Sequence, residues 1–265
     1  MNIFEGQIRH AQEVFKLHKS IPERLQGYLR FRPKATGITL VSFFEFAPMR
    51  GLDLKAVRNN DSINRTLNVL NKHADFLLSP LKSDDEKIKI LGKLGFKTRG
   101  KTQEEYLEED VQAFVIREIL GGNYMSVPAA MSTGLRLVGL EYLTSEFEWS
   151  DKGKKERIDV VCLDKQDSCK VIILELKKIR TTNLKQYTYK PFLQKNQAEF
   201  RQFISALKGL DLSNRELEIR MMYLMPSHPR LVENRWKEII HKFHLDGILF
   251  YKVGFPPDRL ILPDR

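Results

Sequence analysis

An α/β fold in two parts is predicted. Residues 101–265 form a layered domain with a mixed central sheet flanked by helices, and residues 1–100 form a separate N-terminal α+β domain. Three observations carry this reading. The runs 158–163 and 171–176 are apolar on both faces, as in strands covered by helices on both sides of a sheet. From Thr102 onward the periodicity alternates in the order helix, three strands, helix, strand, helix, strand. The basic stretch 97–101 (KTRGK) separates that series from what precedes it.

In the N-terminal part, residues 4–18 have the spacing of an amphipathic helix. The run 37–46 (GITLVSFFEF) is β-branched and aromatic, and reads as a strand stopped by Pro48 and belonging to the core. Asp61 or Ser62 caps a helix through Leu78 that places Ile63, Leu67, Leu70 and Ala74 on one face. Ser83 and Glu86 make a capping-box pattern ahead of the next helix. In the C-terminal part, Thr102 and Glu105 open a helix that Gly121 and Gly122 stop. A strand over 137–147, a polar loop (SDKGKKER), the two apolar strands, a helix over 195–208 and a strand ended by Pro226 follow. A helix over 232–243 and a last strand, GILFYKV, complete the series.

The chain of 265 residues has an ordinary globular composition, 42% hydrophobic and 29% charged. Its formal net charge of +10 favours a polyanionic partner such as nucleic acid or an anionic surface. The two cysteines, Cys162 and Cys169, supply neither a disulfide framework nor zinc-ligand spacing, which fits a reducing cytoplasm, and Cys162 is expected to be buried and inert. Neither a signal peptide nor a membrane span is expected.

The chemistry concentrates in 157–178. Folding the two apolar runs about Asp167 sets Asp159 opposite Glu175, on one face, and strand alternation adds Lys177. Two ionised carboxylates at the end of an apolar sheet need a partner, and hard oxygen ligands suit Mg2+ or Mn2+. Asp159 and Glu175 are the expected metal ligands, with the backbone carbonyl of Leu176 as a further one. Glu108 is an outer-shell or second-metal ligand from the upstream helix. Glu109 and Glu105 are alternatives to Glu108, because acids early in a helix are favoured by its dipole in any case. Lys177 would donate to the scissile phosphate or hold the attacking water. The set suits metal-dependent hydrolysis of a phosphodiester.

An acidic helix, an Asp on one strand, Glu-x-Lys on the next and a helix bearing glutamine resemble the PD-(D/E)xK nuclease superfamily, the restriction-endonuclease-like fold. Within the superfamily, the arrangement is similar to that of NucS-type and Holliday-junction-resolvase-like endonucleases. It covers roughly residues 102–250, with Ile158 where the family usually has Pro. It implies that Asp159, Glu175 and Lys177 form the catalytic core with Glu108 as the helix acid. It also implies a catalytic glutamine, assigned to Gln197, with Gln194 and Gln202 as alternatives. DNA is the expected substrate, and a basic, aromatic-interleaved flank would contact it through Lys178, Arg180, Lys185, Tyr187, Lys190, Lys195 and Arg201, with Tyr189 and Phe192 interleaved. A solvated surface explains that flank equally well. Residues 180–191 would form a flap over the substrate backbone. The N-terminal domain would bind substrate or dimerise, and cutting both strands of a symmetric site would favour a homodimer. The alternatives are a non-catalytic nucleic-acid-binding protein on a degenerate nuclease fold, or a nuclease acting on RNA. His241 and His244 have no third ligand and read as surface residues.

Overall fold

The computed structural model describes residues 3–44, 46–53, 60–97, 108–120, 139–151, 154–176, 189–226 and 245–251. The chain divides into two compact units. One comprises Met1–Arg117 with Gln202–Asp211, and the other Glu118–Arg201 with Leu212–Arg265. Its class is mixed α/β, with a three-stranded sheet and a five-stranded sheet among the described residues.

In the first unit, α1 (Glu5–His18) is followed by β1 (Leu29–Lys34), β2 (Gly37–Phe44) and β3 (Ala47–Asp53), an antiparallel meander. The strand expected to stop at Pro48 ends at Phe44 instead, and Pro48 lies within β3, where a position at the sheet edge tolerates proline. Two histidines eight positions apart fasten α1 to β1. The His10 Nδ1 donates to the Lys34 carbonyl at 2.8 Å, and the His18 Nε2 to the Phe31 carbonyl at 3.1 Å. Close approach of helix and hairpin requires Gly6, since a Cβ there would collide with the Ala35 carbonyl. The helix expected through Leu78 is broken at His73 into α2 (Asn60–Lys72) and α3 (Ala74–Leu78). Ile63, Leu67, Leu70 and Ala74 are all buried, as the spacing requires. Ser83 is the N-cap of α4 (Asp84–Lys93) but makes no side-chain capping bond. The next helix, α5, spans Glu108–Leu120; Thr102 and Glu105, which were expected to open it, lie outside the described residues.

Burial holds the His18 pKa down at about 4, helped by the nearby Arg30 and Lys208 charges and opposed by the hydrogen bond to Phe31. The unfolded chain takes up this proton near pH 6.5, whereas the native state takes it up only near pH 4. Stability is therefore fully present above pH 6.5 and falls as pH drops through that window, by up to about 3 kcal/mol. The expected result is a denaturation midpoint that falls between pH 7 and pH 4.5 in wild type and falls less in His18→Gln. Equal falls in both would show that other groups carry the acid sensitivity.

The second unit is built on the sheet β4 (Leu140–Asp151), β5 (Lys154–Asp164), β6 (Lys170–Leu176), β7 (Glu218–Pro226) and β8 (Gly247–Tyr251), in that spatial order. β4, β5 and β6 pair antiparallel, whereas β6, β7 and β8 pair in parallel. The polar loop expected after β4 is mostly strand: Ser150 pairs with Lys155 and Asp151 with Lys154. Charged side chains concealed this, because strands held by backbone pairing need show no apolar alternation.

Both faces of β5 and β6 are buried, as expected. The face bearing Ile158, Val160 and Leu174 also carries Phe147 and Trp149 by register. Against those rings pack α6 (Tyr189–Lys195) and the first turns of α7 (Gln197–Lys208). Phe147 meets Phe200 at 5.6 Å, and Trp149 stacks on Phe192 at 4.9 Å with Tyr189 edge-on at 5.2 Å. The expected helix over 232–243 lies outside the described residues.

Candidate active site

The β5–β6 turn sets the register that builds the site. Asp164 Oδ1 accepts from the Gln166 N–H at 2.9 Å, and Asp167 Oδ1 accepts from the Cys169 N–H at 3.0 Å, so two aspartates brace the reversal. The ladder then runs Leu163↔Val171, Cys162↔Ile172, Val161↔Ile173 and Val160↔Leu174. The next step in that register is Asp159 opposite Glu175, the juxtaposition expected from the sequence.

Both carboxylates are buried, Asp159 at 5% and Glu175 at 4% exposure. Each is tied to the backbone of the other strand. The Leu176 N–H donates to Asp159 Oδ2 at 2.8 Å, and the Asp159 N–H donates to Glu175 Oε2 at 3.4 Å. Reciprocal bonds of this kind fix both side chains while leaving like charges side by side. A cation is the natural compensation, and a donor set made only of oxygens fits magnesium or manganese. Among the described residues, no group of three or more His, Cys, Asp or Glu side chains gathers to hold a metal. The pair lies near the carboxyl end of β6; β7 beside it and β8 beyond β7 run in the same direction, and this is the end at which parallel strands present ligand sites.

Of the other expected site residues, Glu108 begins α5, but its side chain lies outside what is described. Lys177, Lys178, Arg180, Lys185 and Tyr187 also lie outside the described residues, as do His241 and His244.

Gln197 is placed elsewhere. Its amide spans the backbone of Leu217, accepting from the N–H at 3.3 Å and donating to the carbonyl at 3.2 Å. Leu217 immediately precedes β7, whose first residue pairs with Lys170, whereas Glu175 pairs with Tyr223. At strand rise, that separates Gln197 from the carboxylates by roughly 20 Å. Its helix also packs on the opposite face of the sheet. The amide clamps the entry to β7; of the alternatives, Gln194 is exposed on α6 and Gln202 on α7.

The basic flank is corrected in part. The Lys190 Nζ donates to both oxygens of Asp246, at 3.0 and 2.8 Å, so its charge serves an internal ion pair. An Arg201 guanidinium nitrogen donates to the Arg215 carbonyl at 2.5 Å, and Lys195 is exposed at the end of α6. Tyr189 is buried, and Tyr189 and Phe192 pack on Trp149 rather than standing ready to stack on bases. Lys190 and Pro191, expected in a flap, belong to α6. Cys162 is fully buried and burial pushes its thiol pKa up, which makes it a poor nucleophile.

Two residues near the site escaped the sequence reading. Glu146 on β4 lies between Ser145, paired with Val160, and Phe147, paired with Ile158, and therefore stands across from Asp159. Arg157 precedes Asp159 by two positions and donates to Glu146 Oε1 at 3.3 Å. Arg157 was hidden by reading 150–157 as a polar loop, whereas Glu146 fell within the expected strand over 137–147 and only the pairing of the strands shows what it faces.

Among the described residues, no helix is long and apolar enough to cross a membrane. Comparison with protein-family models and with curated proteins finds no match.

Proposed function

We propose that the chain is a metal-dependent endonuclease hydrolysing DNA phosphodiesters, with a restriction-endonuclease-like fold in its second unit. The observation that carries this reading is the buried pair Asp159–Glu175, set in register across β5 and β6 near the carboxyl end of parallel strands. Asp159, Glu175 and the Leu176 carbonyl would hold Mg2+ or Mn2+. The cation, when bound, supplies polarisation of the phosphoryl group and a more acidic water. The chain's own residues orient the site. The Leu176 N–H fixes one Asp159 oxygen and the Asp159 N–H fixes one Glu175 oxygen, so neither carboxylate has to reorganise before reaction. Lys177 follows Glu175 by two positions in sequence and would hold the water or the scissile phosphate. A net charge of +10 favours a polyanionic substrate. The first unit would bind substrate or support a homodimer, in a cytoplasmic setting.

One observation favours a second reading. Because each carboxylate already receives a backbone N–H, the pair can be retained without metal in a nucleic-acid-binding protein that has lost catalysis. Incubating supercoiled, linear and single-stranded DNA, and RNA, with magnesium, manganese or EDTA separates the readings. The expected result is cutting of DNA that chelation stops and added metal restores. Binding without cutting of any substrate would favour the degenerate scaffold, and cutting of RNA alone would replace the substrate.

A further inference from the structure

We propose that Arg157 contacts a phosphate of the nucleic-acid backbone beside the Asp159–Glu175 pair, and that Glu146 is the residue that positions its guanidinium there. The inference rests on the phosphodiesterase reading above and adds a substrate contact to that site.

Arg157 and Asp159 point to the same face of β5, one strand repeat or roughly 7 Å apart. Their environments differ. Asp159 is buried at 5% exposure, whereas 51% of the Arg157 side chain is exposed. A solvent-facing cation thus borders two buried carboxylates on one surface. A substrate with one phosphate beside the acids and the next along the chain would place opposite charge at each. Arginine suits the second position, since its planar fork of N–H groups matches phosphate oxygens.

The backbone across from the site carries an independent mark. Glu146 is the only non-glycine residue with positive φ among the described residues, at 46°. Left-handed backbone is uncommon in a strand for a residue with a side chain, and such conformations gather at functional sites. Here it occurs across from Asp159, and the side chain it carries, 20% exposed, accepts the Arg157 hydrogen bond. Glu148 stands directly opposite Arg157 in the ladder, so a second acid is its cross-strand neighbour. A guanidinium has five N–H donors and can keep Glu146 while donating to phosphate. The bond to Glu146 gives the arginine a defined partner, which suits positioning better than general attraction.

The test uses the full chain carrying Asp159→Asn, which retains an acceptor for the Leu176 N–H and should preserve substrate. Binding of a fluorescein-labelled DNA duplex is followed by anisotropy over a range of salt, with magnesium present. Adding Arg157→Ala should weaken binding about tenfold and lower the slope of log affinity against log salt by about one. Arg157→Lys should keep the slope and recover part of the affinity. Glu146→Gln should keep the slope and weaken binding to a smaller extent, with a melting temperature equal to that of the parent. An unchanged slope in Arg157→Ala overturns the proposal even if the wild type cuts DNA. If the wild type does not cut but the slope falls, the contact stands and hydrolysis does not. No binding by the parent overturns both.

Discussion

Asp159→Ala is expected to reduce DNA cleavage by about a thousandfold or more, the loss that follows when several kcal/mol of metal-supplied stabilisation is removed. Alanine also leaves the Leu176 N–H without its acceptor, so a fold defect could imitate a catalytic one. Asp159→Asn and Glu175→Gln separate the two effects, because each keeps an oxygen for its backbone donor while removing a charge. Both should be as inactive as the alanine variant. Their thermal behaviour is equally diagnostic. In EDTA, losing one of two adjacent buried negative charges should leave the melting temperature equal to wild type or higher. Adding magnesium should raise the melting temperature of wild type by mass action and leave both variants where they were. An Asp159→Asn protein that melts lower in EDTA and still cuts would place the chemistry elsewhere and make the pair structural.

The parts of this arrangement legible in the sequence were those where burial and turn chemistry agree. The β5–β6 hairpin could be registered because apolar runs of similar length flank a polar reversal, and Asp164 and Asp167 brace that reversal through their own side chains. Ile63, Leu67, Leu70 and Ala74 were legible for the same reason, since one spacing satisfies one buried face. The charged hairpin end from Ser150 to Arg157 was not. Its strands persist through backbone pairing rather than apolar alternation, and with it went Arg157 and the cross-strand bond it makes to Glu146. Polar side chains were the other blind spot. Nothing in their spacing shows that the Gln197 amide closes on Leu217, or that Lys190 turns inward, since each partner is distant in sequence. An aromatic interleaved with basic residues reads as a stacking platform until Trp149, forty residues earlier than Tyr189, is seen to occupy its ring.

Asp246→Ala should cost about 3 kcal/mol of stability. Its carboxylate is buried and accepts four hydrogen bonds, two from Lys190, one from Arg220 at 3.2 Å and one from the Met221 N–H at 2.8 Å. Burial works against the Arg220 charge, but bonds to Glu218 and Asp246 hold its pKa above the ordinary value. The Asp246 N–H returns a bond to the Met221 carbonyl at 2.8 Å, so one residue ties the start of β8 and the first turn of α6 to β7. Alanine strands a buried N–H and two partly buried cations, whereas Asp246→Asn keeps an acceptor for Met221 and should lose about half as much. Lys190→Met should lose stability too, and the double variant with Asp246→Ala should lose less than the sum, with a coupling of about 1 kcal/mol or more. The same lysine substitution distinguishes an internal tie from a substrate contact. If Lys190 serves Asp246, the Lys190→Met protein melts earlier but keeps the wild-type salt slope for DNA. A slope lowered by about one with an unchanged melting temperature would return Lys190 to the nucleic-acid surface. Arg157→Ala is expected to behave in the opposite way on both measurements. The two cations thus test whether charge in the second unit is used to hold the fold or to hold a substrate.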